Sequence, residues 1–199
     1  MRRVVSHSAM TTSNPARIAV LGASGNGKST VGRRLAEIHR VQYIELDALH
    51  HGPGWREASA EELSQRALAA VEASDGWVVD GNYGRKIGDL VLERANLAVW
   101  LDQPLPLILF RLWRRTWRRM RDDVELWSGN KEQWRHMPDL FSWTIRSHRR
   151  HRKTEPERLS HHSGLRWVRL RSPREVELFV QAETARAQSL NSGIALPHS

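Results

Sequence analysis

The sequence predicts a three-layer α/β fold, with a five-stranded parallel sheet between helices on both faces. Three observations carry that prediction. Five short apolar runs are spread along the 199 residues and separated by longer segments with helical periodicity. Each run lacks the in-out alternation of a strand with one wet face, as strands covered on both sides do. The first run also leads directly into Gly22–Thr30, GASGNGKST, whose glycines suit a tight passage from strand to helix.

In chain order, Ile18–Leu21 reads as the first strand, Ser29–His39 as the helix after the turn and Val41–Leu46 as the second strand. Ala58–Ser74 places Leu63, Ala67, Ala70 and Val71 on one helical face. Trp77–Asp80 is a buried strand, Ile87–Glu93 a short helix and Leu97–Leu101 the fourth strand. Leu105–Met120 is helical, with Pro104 and Pro106 near its start, where proline is tolerated. Trp167–Leu170 is the last strand. Pro173–Ala187 is the last helix, capped by Ser172 with Glu175 at the capping-box position. Arg121–His162 has no strand signal and is too long for a bare loop, so it is expected to form a helical lid. Residues 16–187 thus form one domain with a lid at about 121–162. Residues 1–15 and 188–199 are expected to be a disordered leader and tail.

Gly22–Thr30 fits the phosphate-binding pattern G-x-x-x-x-G-K-[S/T], which identifies the fold as of the P-loop NTPase kind. Gly22, Ala23, Ser24, Gly25, Asn26 and Gly27 would turn successive N–H groups inward around a polyphosphate. The helix opening at Lys28-Ser29-Thr30 would add its positive end. Lys28 would reach the β- and γ-phosphates of ATP, and the Ser29 hydroxyl would hold Mg²⁺. Asp80, ending the third strand, is the expected second metal-side group. Asp47, ending the second strand, could take a proton from an acceptor hydroxyl, and His50 and Arg85 lie where an acceptor would be held. His50 and His51 with Asp47 lack a full ligand set for a transition metal.

The net charge is +9, and +7 of it falls between Phe110 and Arg158, with fourteen Lys/Arg against seven Asp/Glu. Arg111, Arg115, Arg118 and Arg119 share much of one helical face, with Arg114 near its edge. No acidic residue interleaves them, which suits clamping of phosphate oxygens better than a solvated face. Trp77, Trp100 and Trp167 read as core. Trp113 and Trp117 suit either stacking on a base or packing of a lid helix. No cysteine is present, so disulfides and thiolate zinc sites are excluded; the composition suits a reducing cytoplasm. No stretch approaches the ~18 apolar residues of a membrane span.

On these residues the chain resembles the adenylate-kinase-like P-loop kinases, and among them the DNA topology modulation (FlaR-related) family. The resemblance spans residues 16–187. Its marks are GASGNGKST, ELDALHHGPGW (Glu45–Trp55), VVDGNYG (Val78–Gly84), VWLDQP (Val99–Pro104), the arginine-rich helix, VELWSGNKE (Val124–Glu132) and LRSPREVELFV (Leu170–Val180). It implies ATP with Mg²⁺ and phosphoryl transfer to a small acceptor, a nucleotide or nucleoside foremost. It implies that Arg111 packs on the adenine, that Arg115 touches the phosphates, and that Ser172 and Pro173 lie beside the base. Asp80-Gly-Asn-Tyr-Gly-Arg85 departs from the D-G-F-P-R motif of nucleoside monophosphate kinases on the monophosphate side. The competing readings are a nucleotide-regulated nucleic-acid binder, favoured by the basic segments, and an ATPase switch.

Overall fold

The computed structural model describes residues 14–131 and 137–191. One sheet holds five parallel strands: β1 (Arg17–Leu21), β2 (Gln42–Glu45), β3 (Trp77–Asp80), β4 (Leu97–Leu101) and β5 (Arg166–Leu170). Their spatial order is β2-β3-β1-β4-β5. The chain therefore fills one side of β1 first and then crosses to the other. Such a reversal opens a crevice at the carboxyl ends of the strands, where open α/β sheets bind ligands.

Side chains alternate across the central strand. Ile18 and Val20 join Val31, Leu35, Val78, Val99 and Leu101 in one apolar cluster. Ala19 and Leu21 join Ile44, Leu63, Ala67, Val71, Trp77, Val79 and Trp100 in the other. The first cluster is roofed by α1 (Lys28–His39) and α7 (Pro173–Asn191), the second by α3 (Ala60–Glu72). The remaining helices are α2 (Leu46–His50), α4 (Gly84–Ile87), α5 (Leu105–Arg121) and α6 (Met137–Ser160). Among the described residues no helix is long and apolar enough to cross a membrane.

Local chemistry sets the boundaries. Ser59 Oγ accepts from the Glu62 amide at 3.0 Å, and the Glu62 carboxylate accepts from the Ser59 amide at 2.9 Å, a reciprocal cap that starts α3 at Ala60. Ser172 Oγ likewise accepts from the Glu175 amide at 3.2 Å and starts α7.

Four expectations differ from the structure. The second strand stops at Glu45, and Asp47 sits on the single turn of α2. The short helix after β3 runs Gly84–Ile87 and is broken by Gly88 at φ 59°; Leu92–Arg94 form a separate 3₁₀ turn. Trp77 and Trp100 are buried, but Trp167 is 37% exposed because β5 is an edge strand. The last helix runs to Asn191, beyond Ala187. The leader falls almost wholly outside the described residues, as do positions 192–199 of the tail.

The α1–α7 roof is closed by a buried charge. Glu183 on α7 accepts from Arg166 Nη2 at 2.8 Å and lies 3.3 Å from His39 Nε2 at the end of α1. Burial alone would raise its pKa. The nearby His39 ring and the hydrogen bond from Arg166 outweigh burial and hold the carboxyl below its usual range. A depressed carboxyl contributes stability above its unfolded pKa and loses it as pH falls through the folded value. Glu183→Gln should therefore cost about 1–2 kcal/mol near pH 7. Denaturant unfolding of both proteins at neutral pH and near pH 3 checks this: the difference should close at low pH, and an equal gap at both would contradict it.

Candidate active site

The loop after β1 is bent back against β4 and α5 so closely that side chains are excluded. A Cβ at Gly22 (φ 145°) would stand 2.6 Å from the Leu101 carbonyl oxygen. One at Gly25 (φ 83°) would stand 2.7 Å from that of Ile108. Gly27, also at positive φ, is the N-cap of α1 and offers no side chain to its amides. The first N–H groups of the helix are thus left for an anion, beside Lys28 at its first position. Ser24 and Lys28 line the cleft in front of the loop, Ala23 is buried beneath it, and Thr30 is exposed on α1.

Asn26 has a second part in the loop that its sequence position did not reveal. Its side chain is buried: Nδ2 donates to the Ala23 carbonyl at 3.2 Å, and Oδ1 accepts from the Gln103 amide at 3.0 Å. It ties the loop to the β4–α5 junction. Asn82 does the same from the other side and was not foreseen. Its Oδ1 accepts from the Gly22 amide at 3.1 Å, and its Nδ2 donates to the Gly22 carbonyl. Its place two residues after Asp80 is the only signal the sequence offered.

Ser29 and Asp80 meet under the loop, Ser29 Oγ donating to Asp80 Oδ2 at 2.7 Å. Tyr43 OH donates to the same oxygen at 3.0 Å. Burial first, and the Asp80 charge second, push the Tyr43 phenol well above its usual range, so it stays a neutral donor. Asp80 Oδ1 is buried without a partner among the described residues. A hydroxyl and a carboxylate, with one carboxylate oxygen unsatisfied, are the hard donors that Mg²⁺ takes while keeping several waters. The pair fits that ion. No group of three or more His, Asp or Glu side chains suited to a metal occurs among the described residues.

Across the cleft, Tyr83 OH donates to Asp47 Oδ1 at 2.7 Å. Burial, followed by the Asp47 charge, raises the Tyr83 phenol far above its usual range, fixing it as the donor. Glu45, next to Asp80 in the β2–β3 register, is a third acid that sequence reasoning passed over. Burial raises its pKa, and Asp80 and Asp47 add to that, while a hydrogen bond from the Trp127 indole opposes it. His50 is buried against Lys86, whose Nζ stands 3.1 Å from its Nε2 and donates to Glu57 at 2.8 Å. Burial, then the Lys86 charge, lowers the His50 pKa, so the ring is neutral at pH 7. It braces Lys86 more than it reaches outward. Arg85 is exposed at the cleft with no ion-pair partner among the described residues.

On α5 the buried residues are Ile108, Leu112 and Thr116; Arg111, Arg115 and Arg119 form the adjacent half-buried row. Arg111 is next to the loop, its Nη1 3.9 Å from where a Gly27 Cβ would be. Arg115 and Arg119 line the cleft. Arg118 is not with them; it is exposed beside Arg114. Trp113 and Trp117, each 45% exposed, neither fill a core nor line the cleft. Ser172 and Pro173 lie at the β5–α7 junction, where the Ser172 hydroxyl is engaged as a helix cap. Lys28, Asp47, Arg85 and Arg115 thus face one cleft of about 960 Å³, walled also by Trp55, Trp127 and Trp143.

No protein-family model matches the chain. A solved gluconokinase from Sinorhizobium meliloti aligns over 90% of this chain and 98% of that one, with TM-score 0.51 and 18% identity. A Chloroflexus aurantiacus protein described as a kinase aligns over 85% and 96%, with TM-score 0.50 and 16% identity. The fold is that of the P-loop kinases. In sequence, the chain is similar to a shikimate kinase of Sulfurihydrogenibium sp., 32% identical over 108 residues, which is 48% of this chain and 65% of that protein. It is similar also to one of Gloeobacter violaceus, 36% identical over 110 residues, 47% of this chain and 59% of that protein. The chain spans less than two thirds of these curated relatives.

Asn82→Ala removes both tethers of the Gly22 peptide. The affinity for ATP with Mg²⁺ should fall about tenfold, the worth of one to two hydrogen bonds. Calorimetric titration checks this, and an unchanged affinity would mean that the loop holds its shape without Asn82.

Proposed function

We propose that this chain is an ATP-dependent kinase that transfers the γ-phosphoryl group of ATP to a hydroxyl of a small anionic acceptor. The observation that carries this reading is that the phosphate loop and a carboxylate share one cleft. Gly22, Ser24 and Lys28 line it together with Asp47, which accepts from Tyr83 at 2.7 Å, while Ser29 and Asp80 are bonded at 2.7 Å beneath the loop. A bare nucleotide switch has no use for the Asp47 carboxylate. The names of the similar proteins, shikimate kinase and gluconokinase, agree in reaction class.

In this reading, the loop amides between Gly22 and Lys28 that Asn82 and Ala23 do not already engage, with the Lys28 ammonium, bind the phosphates, and Ser29 and Asp80 hold Mg²⁺, which neutralises phosphate charge. Arg111 and Arg115 place fixed positive charge where negative charge builds in the transition state. Arg111 with Ser172 and Pro173 flanks the adenine. Asp47 accepts the proton of the attacking hydroxyl, Tyr83 keeping its other oxygen occupied. Arg85 meets the acceptor's anionic group. Residues 16–187 are the catalytic domain, and 121–162, which includes α6, serve as the lid. A nucleotide or nucleoside is the acceptor that the resemblance to adenylate-kinase-like proteins favours; the relatives' names add shikimate and gluconate to the candidates.

A second reading, nucleotide-regulated nucleic-acid binding, has one observation of its own. Trp113 and Trp117 alternate with Arg114 and Arg118 on the exposed face of α5, as on surfaces that stack bases and meet phosphates.

Incubation with γ-labelled ATP and a panel of nucleotides, nucleosides, shikimate and gluconate tests the first reading. One acceptor should be labelled. Asp47→Asn should lower kcat about 10²–10⁴-fold with ATP affinity kept, and Lys28→Ala should lose ATP binding. If nothing is labelled while Lys28→Ala still abolishes ATP binding, the kinase reading fails. Steeply salt-dependent DNA binding, lost in a variant with charge reversal at Arg114 and Arg118, would then favour the second.

A further inference from the structure

Two segments 75 residues apart are latched together at the mouth of the cleft. Asn130, buried, accepts from the Trp55 amide at 2.9 Å through Oδ1; its Nδ2 donates to the Gly52 carbonyl at 2.9 Å and the Trp127 carbonyl at 2.8 Å. Ser128 Oγ donates to the His51 carbonyl at 3.0 Å. The latch fixes three rings. His51 stacks on Trp127, with centroids 5.7 Å apart and planes at 24°, and meets Trp55 edge-on at 5.4 Å. Trp55 sits at φ 61°, a conformation costly for a bulky residue and retained where surroundings impose it. All three rings line the cleft, yet Trp55 remains 38% exposed. A core contact would have hidden it.

Besides Lys28 of the phosphate loop, Arg85 after β3 and Arg150 on α6 face the same cleft without an ion-pair partner among the described residues. Lys86 and Lys131, also there, are already paired with Glu57 and Asp123. The cleft therefore offers an aromatic corner, with Trp55 set against the stacked His51–Trp127 pair, and two guanidinium groups that no carboxylate among the described residues engages.

We propose that His51, Trp55 and Trp127 form the specificity corner of the acceptor site, selecting a compound with a ring, whose face can pack on an aromatic side chain, and an anionic group. This rests on the kinase reading for the word acceptor. The ring stacks in the corner, and Arg85 and Arg150 hold the anion. An open-chain hydroxy acid supplies the anion but no face to stack. The shared chemistry admits a cyclic carboxylate or a nucleoside monophosphate.

The test fills the donor side with a non-hydrolysable ATP analogue and Mg²⁺ and titrates shikimate, AMP and gluconate by calorimetry. Phosphate transfer from labelled ATP is followed in parallel. Shikimate or AMP should bind at least tenfold more tightly than gluconate. Trp55→Gly, which relieves the positive φ, should weaken that ligand about tenfold (~1.4 kcal/mol). It should leave the affinity for the ATP analogue unchanged and the melting temperature equal or higher. Gluconate binding as tightly as either ring compound, no binding of shikimate and AMP, or no effect of Trp55→Gly would each overturn the proposal. A ring compound that binds through Trp55 but takes no phosphate would sustain the corner and overturn the kinase reading. Phosphorylation of gluconate in preference to both would do the reverse.

Discussion

The parallel pairing of β1 with β3 is the constraint on which the rest of the site depends. In their register Val20 stands opposite Asp80, so the chain leaves both strands at the same level. A loop that only glycine can bend leads out of β1, and a carboxylate ends β3. Neither could meet the other in an antiparallel arrangement, where their ends would lie on opposite edges of the sheet. The Ser29–Asp80 bond closes that meeting, and Tyr43 from α1's neighbour β2 completes it. The apolar clusters on both faces make the register hard to change, because a slip of one residue would turn Ile18 and Val20 to the wrong side.

Charge is distributed in keeping with this geometry. Arg111, Arg115 and Arg119 lie one turn apart on α5, along the edge between its buried stripe and the open face. Like charges so close repel, and the repulsion falls when an anion stands before them. Acidic groups gather where β2 and β3 end, at Glu45, Asp47 and Asp80. Of these charges, Arg115, Arg119 and Asp47 line the cleft, which so combines groups suited to phosphate oxygens with one suited to a proton. The loops around the cleft are held by asparagines. Asn82 and Asn130 each give both ends of an amide to backbone groups distant in sequence, and Asn26 joins its own loop to Gln103, 77 residues away.

The parts legible in the sequence were those with a local cause. Five strands could be read because parallel strands are apolar throughout, and the starts of α3 and α7 because of side chains within three residues. The phosphate loop was read because its glycines and lysine act on neighbouring backbone. What escaped was non-local. Asn26 was read only for its backbone amide, because nothing nearby reveals that its side chain has Gln103 as partner. Glu45 and Asn130 had no local signal, since β3 and the Trp55 turn that give them meaning lie 35 and 75 residues away. Helical periodicity placed Arg118 with the other arginines; the orientation of α5, set by Ile108 and Leu112, turned it outward. Trp167 was taken as core because edge and central strands read alike from sequence.

The central claim is that Ser29 and Asp80 hold the metal of a bound nucleotide. Anomalous diffraction from crystals grown with Mn²⁺ and a non-hydrolysable ATP analogue measures this directly. The account predicts one manganese peak between the β- and γ-phosphates, bound to Ser29 Oγ and reached by Asp80 directly or through one water. A nucleotide seated in the Gly22–Thr30 loop with manganese elsewhere, or with the Ser29–Asp80 bond intact and no metal beside it, would contradict it.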